Sequence, residues 1–229
     1  MKPLFLSRSL LLCLIIVFAE ACTKEDYSLK TNYVVSLCVV KESSNQDLYL
    51  LSDQGNALYP SSSLKAETSG QRYQVTYKVM DGTSSKQDET TVVSISNMNP
   101  VLIKEVVSRS LFTGSMNVFV WLECNPWSGG GYLNFEFIFD DSDSNIKHSI
   151  YLVQDSTGNA GKNIHLTFGH DANGDTSGHK ATALASFPFS SISGIQKADS
   201  LIIKVLGGTE GSQTQTTYKL AVPDDVKNS

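Results

Sequence analysis

The chain has 229 residues, with 18 Lys and Arg against 23 Asp and Glu, a formal charge of −5 and a pI near 5.3. That balance leaves no basic stripe to neutralise phosphates, which argues against a nucleic acid as partner. The length suits one large or two small domains.

The N-terminus places Lys2 and Arg8 ahead of the apolar run at 10–18, followed by Ala19, Glu20 and Ala21. A charged start, an apolar stretch of about 7–15 residues and a small-residue cleavage region make a secretory signal. The run falls short of the roughly 20 apolar residues that span a bilayer. Ala21 directly before Cys22 resembles a bacterial lipobox, in which the cysteine thiol carries a diacylglycerol and the chain is cut before it; Ala19 stands where most such boxes carry Leu. Ordinary secretion and an uncleaved anchor are the alternatives. On the lipobox reading, residues 1–21 are a signal peptide and residues 22–30 a lipidated Cys22 and its tether. Several acyl chains then hold the mature protein to its membrane.

Lys24, Glu25 and Asp26 are similar to the short Lys-then-acidic export signal of surface lipoproteins of the Bacteroidetes. The similarity implies the cell outer membrane, facing outward; the competing reading is an ordinary solvated tether in the periplasmic leaflet. Processing removes Lys2, Arg8 and Glu20, which moves the formal charge from −5 to about −6. Cys38 and Cys124 remain after Cys13 leaves and Cys22 is lipidated. Cys38 lies in the apolar string 34–40 and is expected to act as a small buried hydrophobe. No CxxC or Cys/His spacing suggests zinc.

The mature chain reads as β almost throughout. Runs rich in Val, Tyr, Leu and Ile at 32–41, 47–52, 72–80, 90–97 and 101–107 predict strands, with turn residues at Gly55, Gly70 and Gly82. Tyr73, Val75, Tyr77 and Val79 share one face of the third run, the period of two of a half-buried strand. Five strands in this span suit a small OB-like Greek-key barrel over residues 31–108, with an open meander as the alternative. Seven longer-spaced runs follow, at 116–123, 132–139, 146–154, 163–168, 181–187, 200–206 and 216–222. Leu133, Phe135, Phe137 and Phe139 fall on one face of the second. These predict an immunoglobulin-like β-sandwich over residues 109–229, with its aromatics as core filling.

The stretches 49–60 and 70–77, together with Trp127-Ser-Gly-Gly-Gly-Tyr-Leu-Asn-Phe135 and His148-Ser-Ile-Tyr-Leu-Val153, resemble the NigD-like lipoproteins of Bacteroides and Prevotella. The resemblance covers nearly all of the mature chain. It implies an N-terminal OB-like domain, a C-terminal β-sandwich and a lipid anchor; the family name comes from a bacteriocin locus and brings no activity with it.

Asp171, Asn173 and Asp175 alternate like the opening of a calcium loop, but Thr176 and Thr182 stand where that loop needs Gly and a bidentate Glu. Asp141 to Asn145 repeats the alternation with the same defect. Both stretches fit hairpin turns in which Asp and Asn bond their own backbone. No metal and no cofactor is expected. His148 shares parity with Ile150 and Leu152, as a lone core histidine would. There is no Gly-x-Ser-x-Gly elbow and no carboxylate pair suited to glycoside hydrolysis, so no catalytic residue is assigned and an enzyme is not expected.

The loop Asn125-Pro-Trp-Ser-Gly-Gly-Gly-Tyr132 is the candidate ligand site. Trp127 and Tyr132 would offer rings to a glycan or a protein; the other reading has Trp127 covering the end of the sandwich while the glycines turn a corner. The expected function is that of a non-enzymatic glycan- or protein-binding outer-membrane lipoprotein. A structural envelope component and a bacteriocin-linked immunity or accessory protein are the alternatives.

Overall fold

The computed structural model describes residues 33–64, 69–80, 91–116, 120–142, 145–155, 162–175, 178–209 and 212–228. Cys22, Lys24, Glu25 and Asp26, with the signal and the tether, lie outside the described residues. Among the described residues no helix is long and apolar enough to cross a membrane.

The first domain is a closed barrel of β1 (Val34–Glu42), β2 (Leu48–Ser52), β3 (Ala57–Pro60), β4 (Arg72–Val79) and β5 (Thr91–Pro100). Its strand order is β1-β2-β3-β5-β4, with β3 and β5 parallel and the other pairs antiparallel. This is the OB-like arrangement expected from the sequence. Alternation builds its core: Tyr73, Val75 and Tyr77 point inward beside Cys38, Val40, Leu50, Leu58 and Val93. Cys38 is wholly buried, as its apolar neighbours predict, while Val79 at the end of β4 is exposed.

One barrel strand differs from expectation. The fifth strand is the four-residue β3, which follows a tight turn at Gly55 (φ 85°), and not the run 101–107. That run splits into β6 (Leu102–Ile103) and β7 (Val107–Ser108), which pair with the second domain. The sandwich therefore starts pairing at Leu102, ahead of the expected boundary at 108.

The second domain stacks two sheets. One has the order β6-β13-β10-β8, with β9 beside β10; its members are β8 (Trp121–Leu122), β9 (Trp127–Gly129), β10 (Tyr132–Asp141) and β13 (His179–Pro188). The other has the order β15-β14-β12-β11-β7, built from β11 (Ser149–Gln154), β12 (Asn163–Asp171), β14 (Ser200–Thr209) and β15 (Ser212–Ala221). Every later strand run expected from the sequence holds a strand; the run at 116–123, of which residues 117–119 lie outside the described residues, holds β8. Nothing in the pattern signalled the parallel pairing of β12 with β14, which a meander of hairpins would not produce.

The core between the sheets follows side-chain size. Leu133, Phe135 and Phe137 of β10 face inward, and the register sets Ala185 opposite Phe135 and Ala183 opposite Phe137. Small residues on β13 thus make room for rings on β10. Phe135 stacks on Phe168 of β12 at 4.3 Å between centroids and meets Phe187 edge-on at 5.7 Å. The short helix α1 (Asp224–Lys227) closes one end by burying Val226.

Candidate functional site

Asn134 of β10 and Ser186 of β13 point away from the sandwich core and face the barrel, and one arginine joins the two domains. Arg72, the first residue of β4, has no solvent-exposed side chain. Its Nη1 donates to Asp53 Oδ1 at 2.7 Å and its Nη2 to Asp53 Oδ2 at 2.6 Å, a fork that matches the carboxylate. Its Nε donates to Ser186 Oγ of β13 at 2.9 Å, and its Nη2 also reaches Asn134 Oδ1 of β10 at 3.1 Å. Ser186 Oγ donates in turn to Asn134 Oδ1 at 2.7 Å. The guanidinium lies 4.5 Å from the centroid of the Tyr132 ring.

The glycines after Trp127 belong to the same junction. A Cβ at Gly129 would stand 2.5 Å from Asp53 Oδ2, and one at Gly130, where φ is 58°, would overlap Asp53 Oδ1. Gly131 has φ 85° and open space around its Cα. Two of the three glycines thus let the loop press against the carboxylate that holds Arg72, and the third supplies the left-handed turn. Trp127 is half-buried in β9 and pairs with Asn134; Tyr132 is half-buried with the Arg72 guanidinium over its ring. The two candidate ligand residues lie on paired strands, and the Tyr132 ring already has a cation on one face. Sequence reasoning missed Arg72. The available signal was an arginine starting a strand of alternating Tyr and Val, on the face opposite to the barrel core.

At the other end of the sandwich the calcium-like residues separate. Asp171 Oδ1 accepts the Asn173 N–H at 2.9 Å, closing a tight Asx turn, and Asn173 takes φ 51°. Asn173 Nδ2 donates to the Lys147 carbonyl. Asp175 instead is buried and turns inward. Its Oδ2 accepts the Ser142 N–H at 2.9 Å, its Oδ1 accepts the Ser142 hydroxyl in a short contact, and His148 Nε2 lies 3.3 Å from Oδ2. His148 is not a lone core histidine. Its Nδ1 is 2.8 Å from His170 Nε2, and the two rings stack 5.0 Å apart over Phe139.

The carboxylate of Asp175 is an acceptor, so a neutral His148 carries its proton on Nε2 and receives one from His170 Nε2 at Nδ1. The Nδ1 of His170 is buried with no partner among the described residues. Burial, and next the neighbouring His148, hold the His170 pKa down from 6.5 to about 4, against a smaller pull upward from Asp171.

A closed five-stranded barrel joined to a two-sheet sandwich through the hydrogen bonds of a buried arginine defines a two-domain all-β protein. Residues 113–219 match the NigD-like C-terminal beta sandwich domain. A protein of unknown function from Bacteroides vulgatus has the same fold, with a TM-score of 0.69 at 16% identity over 83% of this chain and 91% of that one. A NigD-like immunity protein from Bacteroides caccae superposes with a TM-score of 0.62 at 17% identity, over 82% of this chain and 97% of that one. A "putative lipoprotein" from Bacteroides fragilis gives 0.62 at 8% identity, over 83% and 98%. No curated protein matches the chain in sequence.

Proposed function

We propose that this chain is a lipid-anchored envelope protein, held by Cys22 and displayed outward through Lys24, Glu25 and Asp26, that works by binding another protein and not by catalysis. The observation that carries the binding is β15. It pairs with β14 over ten consecutive residues without a bulge, and it is the last strand of its sheet. Edge strands are normally blunted by proline, bulges or several charges. Here Thr214, Gln215, Thr216 and Thr217 are exposed in sequence, and Lys219 is the one charge on the strand. Such an edge suits an extended segment of a partner, which would add a strand through main-chain hydrogen bonds.

The B. fragilis neighbour's name supports the lipid anchor, since that protein is called a lipoprotein. Trp127 and Tyr132 support a glycan platform less well, because both are half-buried and Tyr132 stacks on Arg72. A second reading, bacteriocin immunity, is favoured by the name of the B. caccae neighbour. It makes the bound protein a toxin or its receptor.

The test is a photocrosslinker placed at Thr214 or Thr216 in living cells, beside protease shaving of intact cells with and without alanines at Lys24, Glu25 and Asp26. Crosslinking of one protein from β15, lost when the label moves to Lys78 on the barrel, is the expected result. Wild-type protein that resists shaving until the envelope is opened would refute outward display. A deletion strain that becomes sensitive to its own bacteriocin would favour immunity.

A further inference from the structure

Four strands of the sandwich carry apolar inward-facing columns, and all four columns change character at the same end. On β10, Phe135, Phe137 and Phe139 lead to Asp141; on β13, Ala185, Ala183 and Ala181 lead to His179, the register partner of Asp141. On β12 of the other sheet, Leu166 and Phe168 lead to His170, and on its neighbour β11 Ile150 is preceded in parity by His148. Three of the chain's four histidines and two buried or half-buried aspartates thus gather above Phe139. A sandwich needs only turn residues at such an end.

One oxygen of Asp141, one nitrogen of His148 and one oxygen of Asp175 lie within 4.8 Å of one another. A tetrahedral centre with bonds of about 2.0–2.2 Å sets its donors roughly 3.3–3.6 Å apart, and His148 Nε2 already stands 3.3 Å from Asp175 Oδ2. The His148 ring is fixed from behind, because its Nδ1 meets His170 Nε2 at 2.8 Å. An outer partner of that kind orients a metal-ligating imidazole. An imidazole among the donors selects against the hard cations, which take six or more oxygens, and for zinc and its neighbours.

We propose that Asp141, His148 and Asp175 form a binding site for a divalent transition metal of the zinc type, with a fourth position facing the mouth where His179 sits. On binding, His148 Nε2 gives its lone pair to the metal. Its proton then resides on Nδ1 and points at His170 Nε2, whose own proton passes to the His170 Nδ1, so both neutral imidazoles change tautomer with no net change of charge. The two carboxylates neutralise the cation. This set is distinct from the Asp171–Asn173 turn, whose side chains bond to backbone.

The experiment titrates the full chain, purified in detergent and stripped with chelator, with Co²⁺ and then with competing Zn²⁺. The expected result is one equivalent of Co²⁺ with visible d–d absorption, displaced by Zn²⁺. His148→Gln and Asp141→Asn should each weaken binding at least about tenfold with an unchanged far-ultraviolet circular dichroism spectrum, while Asp171→Ala binds like the wild type. Absence of both absorption and bound metal would overturn the site. So would wild-type affinity in both variants, or an equal loss in Asp171→Ala.

Discussion

Replacing Arg72 by methionine removes a fork of four hydrogen bonds from a place with no solvent at the side chain. The partners left behind differ in what they can recover. Ser186 and Asn134 still bond to each other at 2.7 Å, and Asp53, with 9% of its side chain exposed, keeps some access to water. The expected cost is therefore at the lower end of the range for breaking a buried pair, about 3 kcal/mol. Asp53→Ala is the harsher change. It strands a guanidinium that is wholly buried and cannot lose its proton, so about 4–5 kcal/mol is expected.

Equilibrium unfolding in urea, followed through Trp121 and Trp127, measures both. The double variant Arg72→Met/Asp53→Ala should cost less than the sum of the singles, because neither charge is then left alone. Weakening the junction should also separate the unfolding of barrel and sandwich into two steps. An Arg72→Met cost below about 1 kcal/mol, or singles that simply add, would refute the view that Arg72, held by Asp53, joins the domains.

The glycines of the loop should rank by what a Cβ meets: Gly131→Ala costs about 1 kcal/mol for its left-handed backbone alone, and Gly130→Ala roughly 3 kcal/mol because it also displaces Asp53. Equal costs in urea unfolding would remove the junction from that ranking. Phe168→Ala should cost about 4 kcal/mol, since Phe135, Phe137 and Phe187 all pack on its ring and cannot close the gap; thermal unfolding checks it. His170 stays neutral in the folded chain down to about 4, while the unfolded chain protonates its histidine near 6.5. The unfolded state then binds more protons in that window, so stability is complete above the upper value and falls as pH drops toward the lower one. The loss is at most about 3 kcal/mol, and a His170→Gln variant that keeps the same pH dependence would refute it.

The sheet architecture was legible because alternation is a local property. Tyr73, Val75 and Tyr77, or Leu133, Phe135 and Phe137, announce a buried face from spacing alone. Strand partners were not legible: Leu102–Ile103 reads like any barrel strand, and only the position of β13 decides that it joins the sandwich. The glycine loop was legible as a corner but not as a contact surface, because the residue it presses on, Asp53, lies more than seventy positions earlier. Parity placed His148 correctly inward, yet its pairing with His170 depends on the register between β11 and β12. The alternating oxygens of Asp171, Asn173 and Asp175 suggested convergence that the backbone denies, since Asn173 in a left-handed turn sends Asp175 inward and away from Asp171.

Strand β10 connects the two polar places in the molecule. Asn134 near its start bonds Arg72 at the domain junction, and Asp141 at its end joins the histidine cluster. Seven residues at about 3.4 Å each separate them by roughly 24 Å, with Phe135, Phe137 and Phe139 filling the interval from the core side. No side chain is shared between the two sets of hydrogen bonds, so their energetic effects should be independent. Arg72→Met and His148→Gln combined should therefore destabilise by the sum of the separate costs, within about 0.5 kcal/mol. Coupling beyond that would mean that the phenylalanine column transmits strain along the strand, and metal added to the distal end would then be expected to shift the unfolding of the barrel as well.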